Sequence, residues 1–275
     1  MDDVARAFVP GHVTGFFTVE RDEDPTRTGS TGAGVTLTDG VTVEVRPAAE
    51  TTIRLNGEDV EMGAVERVLD ALSVRATVEG ETPLPLGAGF GVSGAMALGT
   101  ALAANELFET ALSENELVTV AHGAEVQAGT GLGDVVAQAR GGVPIRLEPG
   151  GPHHGKLDAV PARGRIEYVS FGGLDTGEVI EGDVEHLDRP GEEALSEVVR
   201  KPTVEQVLYA SRRFAREVGL LTEDVRAAIR DVSDDGGEAS MAMLGDTVFA
   251  LGTGLSDAGY DPEVTGIHPG GATLR

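Results

Sequence analysis

A glycine-dense loop, Pro85-Leu86-Gly87-Ala88-Gly89-Phe90-Gly91-Val92-Ser93-Gly94-Ala95, runs straight into a long apolar helical pattern from Ala95 to Leu107. Glycines let a backbone approach a ligand closely. A helix that starts there aims unpaired N–H groups and a partial positive charge at the loop. Together they make a cradle for phosphate, and Ser93 at its edge offers a hydroxyl to a phosphate-bound magnesium. A tight turn before a buried helix would use the same residues, but the density of glycine favours phosphate.

Two familiar phosphate sites fit poorly. Gly89-Phe90-Gly91-Val92-Ser93-Gly94 matches GxGxxG, the dinucleotide fingerprint. That fingerprint needs a strand just before it and an acid at the end of the next strand. Here Pro83 and Pro85 precede the loop, and proline is a poor central-strand residue. Glu106 and Glu109 follow in a helical stretch. No Gly-Lys-Ser/Thr occurs anywhere, so the Walker loop is excluded as well. What remains is Pro85-x-x-x-Gly89-Phe90-Gly91-x-Ser93-x-Ala95. It resembles the central motif of the GHMP kinases, with Val92 where relatives carry a first serine and Ser93 keeping the second.

Two more segments extend the resemblance. Gly131-Leu132-Gly133-Asp134, followed after six residues by Gly141-Gly142, is similar to a pattern of the mevalonate-kinase branch. Pro10-Gly11-His12-Val13-Thr14-Gly15-Phe16-Phe17, continuing to Gly29-Ser30-Thr31-Gly32, resembles the family's opening segment in a variant form. That form is similar to the one found in the archaeal pantoate kinases. So is Ala239-Ser240-Met241-Ala242-Met243-Leu244-Gly245, which stands where most relatives have a second glycine loop. Methionines in place of glycines make a phosphate role for Ser240 doubtful. The similarity spans essentially the whole chain.

Composition sets the environment. The 275 residues suffice for one large or two modest domains with a real core. Acidic residues number 46 against 21 basic, and only Lys156 and Lys201 are lysines. A net charge of −25 argues against nucleic acid and against an anionic membrane as partners. The acids are spread along the chain, as on a solvated surface tuned to concentrated salt. Screening is then close to complete, with a Debye length of roughly 3 Å at 1 M. We therefore expect a halophilic, cytoplasmic protein. The acidic start Met1-Asp2-Asp3 is unlike a secretory signal, and no apolar run reaches membrane-spanning length. The chain has no cysteine, which excludes disulfides and thiolate chemistry.

The elements that position these residues read as a mixture. Residues 4–19, 34–47 and 51–56 are strand-like, rich in Val, Thr and Phe. Val65, Val68, Leu69 and Leu72 repeat at helical spacing within 62–74. Ser113-x-x-Glu116 opens a helix toward Gln127. Val143 to Leu147 is a short strand after the Gly141-Gly142 turn. Residues 149–161 are rich in Gly and Pro and form the candidate domain junction. Arg165 to Phe171 is a strand, Thr203 and Thr222 each start a helix, and Met243 to Leu251 is a late strand pair broken by Gly245. With no regular βαβ repeat, the class is α+β. The resemblance implies two such domains, 1–158 and 159–275, with the active site in the cleft between them.

The resemblance also implies roles. Asp134 becomes the catalytic base, a carboxylate able to orient or deprotonate a substrate hydroxyl. Ser93 and Glu125 become the magnesium ligands, since that ion takes oxygen and keeps waters. The ATP phosphates fall to Pro85, Gly87, Ala88, Gly89, Phe90, Gly91, Val92, Ser93, Gly94 and Ala95. Arg146, one of few cations near this region, could meet a phosphate or a carboxylate through its planar fork and is grouped with them. An acceptor carboxylate needs donors, and His12, Thr14, Ser30, Thr31 and Thr176 are the candidates. His153-His154, adjacent in a Gly/Pro loop, is expected in solvent. The implied activity is transfer of phosphate from ATP, with Mg2+, to the 4-hydroxyl of (R)-pantoate in coenzyme A synthesis, and a homodimer is the candidate assembly. Homoserine, mevalonate or a sugar as acceptor is the alternative. A silent nucleotide-binding regulator is another, disfavoured by retention of Ser93 and Asp134. A dehydrogenase rests on GxGxxG alone.

Overall fold

The computed structural model describes residues 4–173, 185–243 and 245–275. Strands β1 (Ala5–Phe17) and β2 (Gly32–Pro47) pair antiparallel along most of their length. Beyond β2 lie β3 (Thr52–Leu55), β4 (Glu58–Asp59) and β5 (Ala76–Glu81), in the order β2-β5-β3-β4. Strand β6 (Val143–Glu148) pairs with the start of β2 and with β7 (Lys156–Val160). A second sheet is formed by β8 (Arg165–Gly173), β9 (Ala239–Ala242), β10 (Gly245–Leu251) and β11 (Glu263–Gly266), in the order β11-β8-β10-β9. A last short strand, β12 (Thr273–Leu274), returns to the first sheet and pairs with β1.

Helices α1 (Gly63–Leu72), α2 (Val92–Phe108), α3 (Glu114–Ala128) and α4 (Asp134–Arg140) belong to the first part of the chain. In α1 the four residues at helical spacing are buried, together with Ala64. Helix α2 is apolar all round because it is enclosed by the sheet and by neighbouring helices. Its small residues let it lie close on β2: a Cβ at Gly99 would come 2.5 Å from Val43 Cγ2. Helix α3 starts in the anticipated capping box, with the Glu116 carboxylate accepting from the Ser113 backbone N–H at 2.8 Å. Helices α5 (Glu185–Arg200), α6 (Val204–Glu217), α7 (Glu223–Asp234) and the short α8 (Gly254–Asp257) follow. Thr203 and Thr222 cap α6 and α7 through their side-chain oxygens. The mixture is α+β, with two sheets flanked by helices. No helix among the described residues is long and apolar enough to cross a membrane.

Three local readings change. The segment 149–161 contains β7, which gives β6 a partner on its outer side and so covers an otherwise open sheet edge. The anticipated division at 158/159 thus falls inside a strand of the first sheet, and the change of sheet comes between Val160 and Arg165. The late strand pair begins earlier, at Ala239, with its turn between Ala242 and Gly245.

Candidate active site

The glycine loop leads into α2 as its sequence implies. Gly91 is the N-cap residue, with φ of 64°, a left-handed conformation that glycine adopts without strain. No side chain caps this helix, so its first N–H groups are left for another acceptor. Pro85 and Gly87 are exposed, Gly89 and Gly91 half-buried, and Ala88, Val92, Gly94 and Ala95 buried. Phe90 is buried as well, its ring 4.7 Å from that of Tyr168. The loop's contribution to a phosphate is therefore backbone rather than side chain. Two bonds hold that backbone: the His12 N–H donates to the Phe90 carbonyl at 3.0 Å, and Gln138 Nε2 to the Gly91 carbonyl at 2.8 Å.

Ser93 does not cap α2. Its hydroxyl donates to Glu125 Oε1 at 2.6 Å, and Thr130 Oγ1 donates to the same oxygen at 2.8 Å. Glu125 is buried in α3, and burial pushes its carboxyl up to about 7 against those two hydrogen bonds. A hydroxyl and a carboxylate joined in this way form an all-oxygen donor pair, which suits magnesium. The spacing brings Ser93 and Glu125 together across 32 residues.

Asp134 opens α4, and its side chain is 25 % exposed. Its Oδ1 meets His12 Nδ1 at 2.6 Å. Burial raises its carboxyl, but the His12 bond and the nearby Arg146 outweigh that, so the net direction is downward. A Cβ at Gly91 would sit 3.2 Å from Asp134 Cγ, which puts the end of the phosphate loop against the carboxylate. On the other side, a Cβ at Gly131 would strike Glu125 Oε2 and lie 3.6 Å from Asp134 Oδ2. Asp134 thus stands between the loop and the Ser93–Glu125 pair.

Arg146 is only 2 % exposed. Its Nε donates to the Ser30 carbonyl at 3.3 Å, and its Nη1 is buried with no partner among the described residues. Burial lowers the guanidinium to about 10, with Asp134 acting the other way. Thr14, Ser30, Thr130, Gly131, Asp134 and Arg146 line one cavity of about 30 Å³. Arg146 therefore lies beside Ser30 and Asp134.

The remaining expectations divide. Ser30 lines the cavity, its hydroxyl donating to the Leu132 carbonyl at 3.3 Å. Thr31 does not: its hydroxyl is bound to that of Thr18 at 2.6 Å. His12 is fully buried and absent from the lining. Ser240 is buried in β9, its hydroxyl without a partner among the described residues. His153 and His154 are exposed. Thr176 lies outside the described residues. Sequence reading missed Thr130 and Gln138. The first sits inside the Gly129–Gly133 run and the second lies one helical turn after Asp134, so local spacing carried a signal for both.

A glycine loop opening a buried helix, an acidic residue at its mouth and an α+β frame of two sheets define a small-molecule kinase of the GHMP type. The GHMP kinases N terminal domain family matches residues 60–142. The pantoate kinase of Methanocaldococcus jannaschii is 36% identical over 251 residues, 89% of this chain and 91% of its own. That of Thermococcus kodakarensis is 37% identical over 90% of this chain and 87% of its own. A solved structure described as a phosphotransferase related to the CoA biosynthesis pathway superimposes with a TM-score of 0.88 at 30% identity, covering 99% of this chain and 98% of that one. The chain belongs to the pantoate kinase family.

Proposed function

We propose that the protein transfers the terminal phosphoryl group of ATP to the 4-hydroxyl of (R)-pantoate, forming (R)-4-phosphopantoate for coenzyme A synthesis. The observation that carries this reading is Arg146, which lines the same cavity as Asp134 and has a buried nitrogen with no partner among the described residues. A hydroxy acid brings a carboxylate for the guanidinium and a hydroxyl for the base. A sugar has no anion to place there. Homoserine brings an ammonium that a buried cation would repel, and mevalonate is a longer acid. Arg146 is accordingly assigned to the acceptor and removed from the ATP phosphates.

Asp134 accepts the hydroxyl proton or holds the hydroxyl in line. The loop from Gly87 to Gly91 and the start of α2 receive the phosphates of ATP. Ser93 and Glu125 would hold magnesium, which supplies charge neutralisation to the phosphates when bound. We further propose that the domains divide at 161–164, where the sheets change. The net charge of −25 supports a cytoplasm rich in salt as the working environment. Circular dichroism during dialysis tests the last point: loss of fold is expected below about 1 M potassium chloride, where screening weakens, and a fully folded enzyme in dilute buffer would contradict it.

The decisive experiment is ADP release in concentrated potassium chloride with pantoate, homoserine, mevalonate and galactose, with mass spectrometry of the product. Turnover confined to pantoate is expected. Preference for homoserine or a sugar would overturn the acceptor assignment, and stabilisation by NAD rather than ATP–Mg in a thermal-shift panel would overturn the class.

A further inference from the structure

His12 lies in the middle of β1, fully buried, and touches both halves of the site. Its backbone N–H holds the Phe90 carbonyl of the phosphate loop, and its Nδ1 meets Asp134 Oδ1 at 2.6 Å. Its Nε2 has no partner among the described residues and faces Gly34 of β2, where a Cβ would collide with it. A substrate-binding role, which the sequence suggested, requires a nitrogen open to the cavity. Neither is.

We infer that His12 is the positioning residue of the catalytic carboxylate: a neutral imidazole that donates Nδ1–H to Asp134 Oδ1 and leaves Oδ2 as the oxygen that meets the acceptor hydroxyl. This rests on the proposed role of Asp134. The tautomer follows from hydrogen-bond accounting. An ionised carboxylate only accepts, so the shared proton belongs to Nδ1. A second proton on Nε2 would be a buried donor with nothing to receive it, which costs more than a bare ring nitrogen. Arg146, the other charged group acting on this ring, also opposes an imidazolium. Burial acts in the same direction and is the largest influence, holding His12 below its usual range despite Asp134. Oδ2, meanwhile, lies on the side of Gly131, a lining residue of the cavity. Because one residue fixes both the loop carbonyl and the base, β1 sets the separation between phosphoryl donor and proton acceptor.

The test compares His12→Phe, which keeps a ring and removes the donor, with His12→Asn, which returns an N–H near the position of Nδ1. For His12→Phe, kcat should fall by about 30-fold, somewhat less than the 10²-fold that a misplacement of about 1 Å can cost. The KM values for pantoate and ATP should stay within about threefold, and His12→Asn should regain kcat to within about threefold of wild type. A loss seen mainly in the KM for pantoate would return His12 to substrate binding and overturn the inference. So would a His12→Asn enzyme as slow as His12→Phe. If the wild-type enzyme turns over no hydroxy acid, the proposed function fails first, and nitrogen-15 spectra of labelled histidine still decide the tautomer. One of the six histidines, missing in His12→Asn, should show Nδ1–H with a bare Nε2 at pH 7. An imidazolium or an Nε2–H tautomer there would overturn the proposal, and these spectra also serve if His12→Phe does not fold.

Discussion

The stretch proposed to receive phosphate and the cavity proposed to receive the acceptor are built by different means. The phosphate side is one continuous stretch, residues 85–95, and offers mainly backbone. The proposed acceptor side draws on loops, strands and helices far apart in the chain. Asp134 and His12 are 122 residues apart, Arg146 and Ser30 are 116 apart, and Ser30 and Leu132 are 102 apart. A backbone cradle tolerates much substitution provided its glycines keep their conformation. A side-chain cavity depends on each member, and several of these members are buried where a lost partner is costly. Damage on the acceptor side should therefore spare ATP binding, and damage at the metal pair should spare pantoate binding.

The largest effect should come from Asp134→Asn. Loss of base or orienting action predicts a fall in kcat of about 10²-fold or more, with ATP binding nearly intact. Near-normal turnover in a variant folded by circular dichroism would remove Asp134 from the mechanism. A parallel loss of ATP affinity would erase the division between the two sides.

Arg146→Met comes next. It removes a buried cation while filling its space, so the fold should survive. Loss of one charge-assisted hydrogen bond, about 1.5–3 kcal/mol, predicts a KM for pantoate raised roughly 10- to 150-fold. The KM for ATP should hold. If ATP suffers and pantoate does not, the guanidinium belongs with the phosphates after all.

How much of this was legible follows from the same contrast. The phosphate loop, its helix and the capping boxes are local patterns, and Ser113–Glu116, Thr203 and Thr222 cap where their spacing indicates. Asp134 stands out as a candidate because glycines flank it, and Glu125 because its helix leads into that loop. Burial direction was not. His12 and Thr31 have the chemistry of substrate ligands, yet one is spent on Asp134 and the other on Thr18. Nothing in residues 10–31 distinguishes Ser30, which faces the cavity, from its neighbour Thr31, because that depends on which strand lies opposite. Strand β7 was hidden by the glycines and prolines around it, since its reason for being extended is its pairing with β6. Helix α5 carries Pro190, a residue that reads as a break.

Glu125→Gln separates function from stability on the metal side. It should raise the magnesium needed for half-maximal rate by about tenfold, the scale of losing one charged oxygen ligand. The pantoate KM should be unchanged. The same variant should be the more stable protein when metal is chelated. The folded carboxyl titrates at about 7 and its ordinary value is 4.5. Below 4.5 it is protonated in both states and costs nothing. As pH rises through 7 the unfolded chain gains from ionisation that the buried group resists, so stability is lost, by on the order of 3 kcal/mol in full. Glutamine keeps an oxygen for Ser93 and Thr130 and has no such penalty. Thermal unfolding in EDTA at pH 5 and pH 8 measures it: a gap between variant and wild type that fails to widen at pH 8 would mean that Glu125 is not held in an unfavourable setting.

The smallest effect should be that of Ser30→Ala. Ser30 lines the cavity beside Arg146, so its hydroxyl can reach an acceptor carboxylate held there. That hydroxyl already has a use, donating to the Leu132 carbonyl at 3.3 Å, a long bond that can be exchanged for a better one. The net loss on substitution is thus one bond made minus one bond given up, about 1 kcal/mol, or roughly fivefold in the KM for pantoate. The effect should be absent from the KM for ATP. A fivefold change confined to pantoate would place the Gly29–Thr31 segment on the acceptor side with Arg146. A rise in the ATP value would assign the segment to the phosphate side, and β2 rather than the glycine loop would then mark where the two sides meet. Steady-state kinetics of this variant against Arg146→Met, and of the two combined, settle which holds: non-additive effects on pantoate are expected, because both residues then grip one carboxylate.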